Sequence, residues 1–297
     1  MLQNAKQTSA LQVDAVHFGA AALAVAAMVV FPTADALAKS LSGVVPLLVI
    51  VWVRFCGAAL LITPLYLMRV RQWPTKRAIA VETLRAAIII VAFGCFVFSF
   101  RTIQFAEATT YYSVAPIVAA GLSVLLLKER MTGFKMLALG LGMFGVLVAL
   151  KPSVAPQPGA FFALSSGLLY GSYLFLNRVV AVRWDMFQTL FLQFWIGSLL
   201  LFPLVLSDLG PELLPHLPRL FAISVISVLC NLMLFAAFQR AESSFLAPFM
   251  YVEVPSALAM AVLFFDETLT INLLLGAGMI LCAGLLVMRR RPSARIP

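Results

Sequence analysis

The chain has 297 residues, of which 63% are hydrophobic and only 11% are charged. A soluble domain is about half apolar and roughly a quarter charged, so this chain has too few charges to cover a surface that faces water. Its net charge of +9 does not indicate nucleic-acid binding, because the basic residues fall in short clusters between apolar runs. The composition therefore predicts an all-α membrane protein that crosses the bilayer several times.

Ten apolar runs are long enough to cross about 30 Å of hydrocarbon, and short connections join them. We therefore predict ten transmembrane helices and no soluble domain. The predicted spans are 17–38, 46–68, 82–100, 105–127, 133–150, 158–178, 186–207, 219–238, 243–265 and 271–288.

The first span also has features of a secretory signal peptide. Lys6 precedes an apolar core that Pro32 interrupts, and Ala36-Leu37-Ala38 is typical of a cleavage site. However, the segment 31–39 has a counterpart 139 positions later, at 170–178. That counterpart lies too deep in the chain to be a signal peptide, so we expect the first span to remain in the protein.

The fourth and ninth spans share an interruption. Tyr112-Ser113-Val114-Ala115-Pro116 lies in one apolar run and Tyr251-Val252-Glu253-Val254-Pro255 in another, again 139 positions apart. A proline removes one backbone donor and frees the carbonyl one turn earlier. Pro116 and Pro255 therefore predict broken helices whose free carbonyls face protein or a wet cavity. The alternative is a kink that serves only packing.

The distribution of Lys and Arg predicts the orientation of the chain. With the N-terminus inside, the inner segments carry fifteen of these residues and the outer segments carry four, so we expect both termini in the cytoplasm.

The offset of 139 also relates Pro32 to Gly171. Because each repeat has five helices, the second is upside down, and such inverted repeats are typical of secondary transporters. The predicted halves are residues 1–151 and 152–297.

The halves resemble the paired EamA units of the drug/metabolite transporter superfamily. The matching residues are Ala106-Glu107 with 112–129 in the first half, and Ala241-Glu242 with 251–267 in the second. Within this superfamily the chain is most similar to bacterial inner-membrane exporters of amino acids, including aromatic ones. The resemblance implies a ten-helix bundle around a central cavity, lined mainly by spans 1, 3, 4, 6, 8 and 9.

Glu253 lies about ten residues into the ninth span, which is roughly 15 Å along a helix and near the bilayer midplane. A carboxylate at that depth is a functional candidate, to bind a substrate ammonium group or to take up a proton. The alternative is a structural carboxylate that is paired or protonated within the bundle. We interpret Arg54, in the second span, as structural, either paired with Asp35 or Glu253 or reaching the outer interface.

Aromatic and polar side chains elsewhere complete the predicted site. Tyrosine rings at midspan can stack on a flat side chain or hold a cation, although they also serve packing between helices. The predicted substrate-binding residues are Glu253, Tyr251, Tyr112, Asn231, Tyr170, Ser172 and Thr33. The predicted helix-break or gating residues are Pro32, Gly171, Pro116 and Pro255.

The predicted function is export of aromatic or neutral amino acids, or related metabolites, by alternating access across a bacterial inner membrane. Export of cationic drugs or other metabolites is the alternative. The sequence has no His-Glu-x-x-His, no Gly-x-Ser-x-Gly and no Walker lysine loop, which argues against an intramembrane enzyme. A scaffold would not need paired broken helices. We predict no cofactor, no metal and no nucleic-acid partner; the predicted partners are a small-molecule substrate and the lipid bilayer, with a homodimer left open.

Overall fold

The computed structural model describes residues 2–69, 74–129, 132–150, 158–266 and 271–288. These residues form α-helices, two short 3-10 helices (Leu206–Asp208 and Pro211–His216) and connecting turns. A backbone in hydrocarbon must satisfy its own hydrogen bonds, and a helix does so within one segment. The helices are α1 (Leu2–Leu41), α2 (Leu47–Arg69), α3 (Lys76–Ser99), α4 (Phe105–Tyr112), α5 (Ala115–Leu127), α6 (Gly133–Leu150), α7 (Pro158–Ala181), α8 (Met186–Val205), α9 (Leu217–Arg240), α10 (Ser243–Met250), α11 (Glu253–Phe265) and α12 (Ile271–Met288).

Eight segments of the described chain are long and apolar enough to cross a membrane. Two of them are built from two α-helices each: α4 with α5, and α10 with α11. The chain is therefore a multi-pass helical membrane protein, as the composition predicts. The spans predicted at 133–150 and 271–288 coincide with α6 and α12, while the ten-span topology and the orientation stay predictions. The eight segments are Val16–Leu41, Leu47–Arg69, Lys76–Ser99, Phe105–Leu127, Pro158–Ala181, Met186–Asp208, Pro211–Arg240 and Phe245–Phe265.

Large apolar side chains lie on the outside of the bundle. Leu60, Met68, Leu125 and Leu263 are all more than half exposed. A soluble monomer rarely exposes wide apolar patches, so this surface suits lipid.

Local signals set several helix ends. The carboxylate of Asp185 accepts hydrogen bonds from the backbone N–H groups of Phe187 and Gln188, which caps the start of α8. The helices α5 and α11 both end on a residue in the left-handed region, Lys128 with φ of 55° and Asp266 with φ of 51°. These two residues hold corresponding places in the repeated sequence, so the repeat extends to this backbone detail.

The largest helix contacts join the first half to the second. They are α1 with α9, α2 with α8, α3 with α7, and α6 with α12. In addition, α5 packs on α7, and α11 packs on α1. In the repeat, α1 corresponds to α7, α3 to α9 and α5 to α11. When each helix is replaced by its counterpart, the α1–α9 contact becomes the α7–α3 contact, and the α5–α7 contact becomes the α11–α1 contact. The pairing pattern therefore has the symmetry of a twofold axis between the halves.

Candidate functional site

A cavity lies where α1, α2, α3, α4, α7, α8 and α9 converge. Eight of its fourteen lining residues are aromatic, so its wall offers flat rings for stacking. Asp35, Arg54, Gln193 and Asn231 add polar groups. The cavity has a volume of about 30 Å³, which is enough for about two water molecules. Binding of a larger molecule therefore requires the cavity to widen.

Three tyrosine rings follow one another along the cavity wall. The ring centroids of Tyr112 and Tyr170 are 4.8 Å apart at an interplanar angle of 21°. Tyr170 and Tyr173 follow at 5.9 Å and 18°, and Phe96 packs against Tyr112 at 4.8 Å. Tyr112 comes from the first half and the other two tyrosines from the second. Both halves therefore contribute to one continuous aromatic surface.

Arg54 and Asp35 form a buried ion pair in the cavity wall. Nη1 of Arg54 donates to Oδ1 of Asp35 at 2.9 Å, and the two residues are 7% and 4% exposed. The guanidinium carbon lies 4.7 Å from the ring centroid of Phe31 and 4.0 Å from that of Phe93. Of the alternatives left open for Arg54, the structure shows the pair with Asp35.

A second, smaller pocket adjoins the cavity, and Tyr112 and Tyr170 line both. It lies between the two helix interruptions, where Pro116, Tyr251 and Glu253 contribute to its wall. Glu253 is 6% exposed, and within the described chain its carboxylate forms no hydrogen bond or ion pair. The predicted midplane acid therefore lies beside the main cavity, not in its wall.

Tyr251 packs away from the main cavity. Its ring contacts Gly142 of α6 so closely that a Cβ on that glycine would lie 2.4 Å from the ring. Among the described residues its hydroxyl has no hydrogen-bond partner. In a continuous helix the Tyr251 carbonyl would accept a hydrogen bond from residue 255, but Pro255 has no N–H. The carbonyl instead accepts a hydrogen bond from the Val254 N–H at 3.0 Å. The carbonyl expected to be free thus has one local donor, and one lone pair remains.

The two Tyr-x-x-x-Pro segments do interrupt their helices. Residues 113–114 separate α4 from α5, and residues 251–252 separate α10 from α11. Pro116 and Pro255 lie in the first turn of the helix that follows, where a missing N–H leaves no hydrogen bond unmade. The prolines therefore start new helices.

The other two predicted break residues do not interrupt a helix. The helix α1 continues through Pro32, and α7 continues through Gly171. Gly171 instead permits close packing, because a Cβ there would lie 2.6 Å from the carbonyl oxygen of Ala115. A Cβ on Gly167, one turn earlier, would lie 2.6 Å from the carbonyl oxygen of Tyr112. This pair of glycines brings α7 against the interruption between α4 and α5, as small residues do between membrane helices.

The remaining predicted residues differ in their positions. Asn231 lines the cavity, where its Oδ1 accepts a hydrogen bond from the Tyr173 hydroxyl at 3.1 Å. The Thr33 hydroxyl faces the sulfur of Met260 at 3.7 Å. The Ser172 hydroxyl donates to a backbone carbonyl one turn earlier in α7. Neither Thr33 nor Ser172 lines the two pockets described above.

A buried polar network connects the cavity to a charged pair on α3. Arg85 donates hydrogen bonds to Glu82 on its own helix, to Asn177 of α7 and, at 3.0 Å, to Gln193 of α8. Nε2 of Gln193 donates in turn to the Tyr173 hydroxyl at 2.9 Å. Glu82 and Arg85 are completely buried. A charged pair from the first half is thus stabilised by amides from the second.

Of these polar residues, only Asp35 and Arg54 are placed together by the sequence, as one of the alternatives for Arg54, and a signal for that pair exists. Asp35 lies six residues before the end of α1 at Leu41, and Arg54 lies seven residues after the start of α2 at Leu47. Two antiparallel helices joined by a short turn place such residues at the same depth. No equivalent signal relates Arg85 to Gln193, because these residues are far apart in the chain.

The sequence matches the model of the EamA-like transporter family twice, over residues 18–151 and 157–289. A solved crystal structure has the same fold, with a TM-score of 0.73 and 16% sequence identity over 90% of this chain and 97% of that one.

Characterised and uncharacterised transporters are among the similar proteins. An uncharacterised transporter of Helicobacter pylori strain J99 is 30% identical over 210 residues, covering 66% of this chain and 69% of that protein. One from Archaeoglobus fulgidus is 28% identical over 207 residues, covering 65% and 74%. The pseudopaline exporter CntI of Pseudomonas aeruginosa is 24% identical over 248 residues, covering 82% and 87%.

Proposed function

Because the chain belongs to the EamA-like transporter family, we propose that it is a secondary transporter that exports aromatic or other neutral amino acids. The observation that carries this proposal is the aromatic cavity between the two halves, which contains an ion pair and adjoins a buried acid. Aromatic rings can stack on a flat side chain, and the charged groups can bind the polar end of an amino acid. The proposed location is the inner membrane of a bacterium, with both termini in the cytoplasm.

Transport proceeds by alternating access in this proposal. The two halves rock about the twofold axis between them, so that the cavity widens toward one side of the membrane at a time. Tyr112, Tyr170 and Tyr173 hold the apolar part of the substrate. Glu253, in the adjoining pocket, engages the ammonium group or carries a proton.

Export of a cationic drug or of another metabolite is the second candidate. Two acids, Asp35 and Glu253, lie in or beside the cavity against one base, Arg54, which favours a cation when both acids are ionised. The similarity to an exporter of pseudopaline, over 82% of this chain, supports a metabolite of another class.

Counterflow in proteoliposomes tests the proposal directly. Vesicles with purified protein are loaded with one unlabelled amino acid, and uptake of the labelled form is followed with and without a pH gradient. We expect loading with phenylalanine, tyrosine, tryptophan or leucine to stimulate uptake. Protein-free vesicles and vesicles loaded with glutamate are the controls. If no amino acid stimulates uptake by protein that is monodisperse and folded, amino-acid export is wrong and the second candidate takes its place.

A further inference from the structure

The Asp35–Arg54 pair has hydrogen-bonding capacity that the protein does not use. An arginine has five N–H donors, and the one side-chain hydrogen bond that Arg54 makes within the described chain runs from Nη1 to Asp35. The remaining donors on Nε and Nη2 are not among the fully enclosed polar atoms that lack a partner. Arg54 lines the cavity, so these donors are available to a molecule that binds there.

Asp35 also has hydrogen-bonding capacity that the protein does not use. Its Oδ1 accepts from Arg54, while Oδ2 has no partner among the described residues and is not fully enclosed. Asp35 also lines the cavity. A free carboxylate oxygen and free guanidinium N–H groups thus lie side by side on one wall.

Aromatic rings fix the position of this pair. The guanidinium carbon lies 4.7 Å from the ring centroid of Phe31 and 4.0 Å from that of Phe93. These ring contacts hold the cation in the cavity wall. A carboxylate binds a guanidinium group along its planar edge, where two parallel N–H bonds can form.

We propose that Asp35 and Arg54 together bind the head group of an α-amino acid, with the substrate carboxylate on Arg54 and the substrate ammonium group on Asp35. This inference rests on the proposed function and names the part of the substrate that the cavity recognises. The ammonium group and the carboxylate of the substrate are both bonded to Cα, so the two substrate charges lie close together, as the two charges of the Asp35–Arg54 pair do. The substrate side chain then lies against Tyr112, Tyr170 and Tyr173.

Charge balance supports the same assignment. The ion pair has no net charge, and a zwitterionic head group adds none, so the pair and its ligand together carry no net charge. An amine without a carboxylate brings an unpaired positive charge, and a carboxylic acid without an amine brings a negative one. Burying an unpaired charge is costly. The pair therefore selects compounds that carry both groups.

The assignment also separates the roles of the two cavity acids. Asp35 holds the head group, whereas Glu253 lies in the adjoining pocket without a basic residue in its lining. Glu253 is then available to exchange a proton during the transport cycle.

Three ligands that differ only in the head group test the proposal. L-phenylalanine is compared with L-phenylalaninamide, which lacks the carboxylate, and with 3-phenylpropionate, which lacks the ammonium group; L-leucine and its two analogues form a second set. In counterflow by the wild-type protein, we expect each amino acid to exchange at least about tenfold faster than its analogues, because a hydrogen bond to a charged group is lost in each case. In Arg54→Gln, the preference for the amino acid over its amide is expected to fall at least about tenfold.

Matched variants keep the test independent of folding. Arg54→Lys retains the charge and is expected to keep part of the preference, while Arg183→Gln removes an exposed arginine and leaves the preference unchanged. Asp35→Asn is expected to reduce discrimination against 3-phenylpropionate. If the wild-type protein exchanges phenylalanine and its amide equally well, the head-group site is wrong while amino-acid transport stands. If neither phenylalanine nor leucine exchanges, the proposed function itself is wrong and this site falls with it.

Discussion

At the scale of single residues, the site places its two acids in different surroundings. Asp35 has a basic partner at 2.9 Å and aromatic neighbours around that partner. Glu253 has no such partner within the described chain and lies between two helix interruptions. A carboxylate without a fixed partner is free to bind and release a proton or a cation, so Glu253 is the better candidate for a group that changes its state during transport.

Replacing Glu253 with glutamine tests this role. The amide has the shape of the acid but neither ionises nor carries charge. We expect amino-acid counterflow to fall at least about tenfold and to lose its pH dependence between about pH 5 and pH 8. Glu212→Gln, on an exposed residue, is the control and is expected to behave as wild type. Wild-type rates and an unchanged pH profile in Glu253→Gln would exclude a role for its charge.

At the scale of helices, hydropathy predicts that a helix exists better than it predicts where the helix ends or is interrupted. The spans predicted at 186–207 and 271–288 agree closely with α8 and α12, because a backbone in lipid has few alternatives to a helix. In contrast, α3 begins at Lys76 instead of 82, since Thr75 caps it and its polar first turns extend beyond the apolar run.

Helix breaks depend on the neighbours of a residue as well as on its type. Pro116 and Pro255 start new helices, but Pro32 lies within α1. A membrane helix continues through a proline when its surroundings compensate the lost hydrogen bond. The sequence of one helix contains no information on those surroundings. The same reason explains why Gly171, predicted as a break, is a contact point between α7 and α5.

The glycine contact gives a prediction at this scale. A Cβ at Gly171 meets the Ala115 carbonyl oxygen and the Val118 Cβ at 2.6 Å, and backbone cannot move aside cheaply. We expect Gly171→Ala to lower the free energy of unfolding by roughly 1–3 kcal/mol. Gly94→Ala in α3 is the control, because nothing lies within 4 Å of a Cβ there. Denaturant unfolding in detergent measures both, and equal unfolding curves would show that α7 has room to move.

At the scale of the whole molecule, the two halves share one interior. The main helix contacts cross from one half to the other, and so do the hydrogen bonds from Arg85 to Asn177 and Gln193. The offset of 139 predicts the repeat, and the apolar runs predict five helices in each half, but neither pattern predicts this network. Hydropathy identifies the segments that span the bilayer, whereas the contacts of Arg85 with Asn177 and Gln193 depend on how the helices are rotated against each other.

The network predicts strong coupling between Glu82 and Arg85. Arg85→Met leaves the carboxylate of Glu82 buried without its basic partner, and we expect a loss of roughly 3–5 kcal/mol in the free energy of unfolding. In the double variant Glu82→Gln with Arg85→Met, both charges are gone, so the loss is expected to be smaller than in Arg85→Met alone. A double-mutant cycle from denaturant unfolding measures this difference. Additive effects of the two substitutions would contradict a coupled pair.

The partners of Arg85 lie far from it along the chain, so the network also depends on the order in which the chain is synthesised. Asn177 and Gln193 follow Arg85 by 92 and 108 residues in the chain. At a synthesis rate of about 5–20 residues per second, roughly 5–20 seconds pass before these amides leave the ribosome. During that interval Arg85 lacks the two amides that accept its hydrogen bonds in the folded protein. The nascent chain therefore reaches its final arrangement only after α7 and α8 have been synthesised and have joined the bundle.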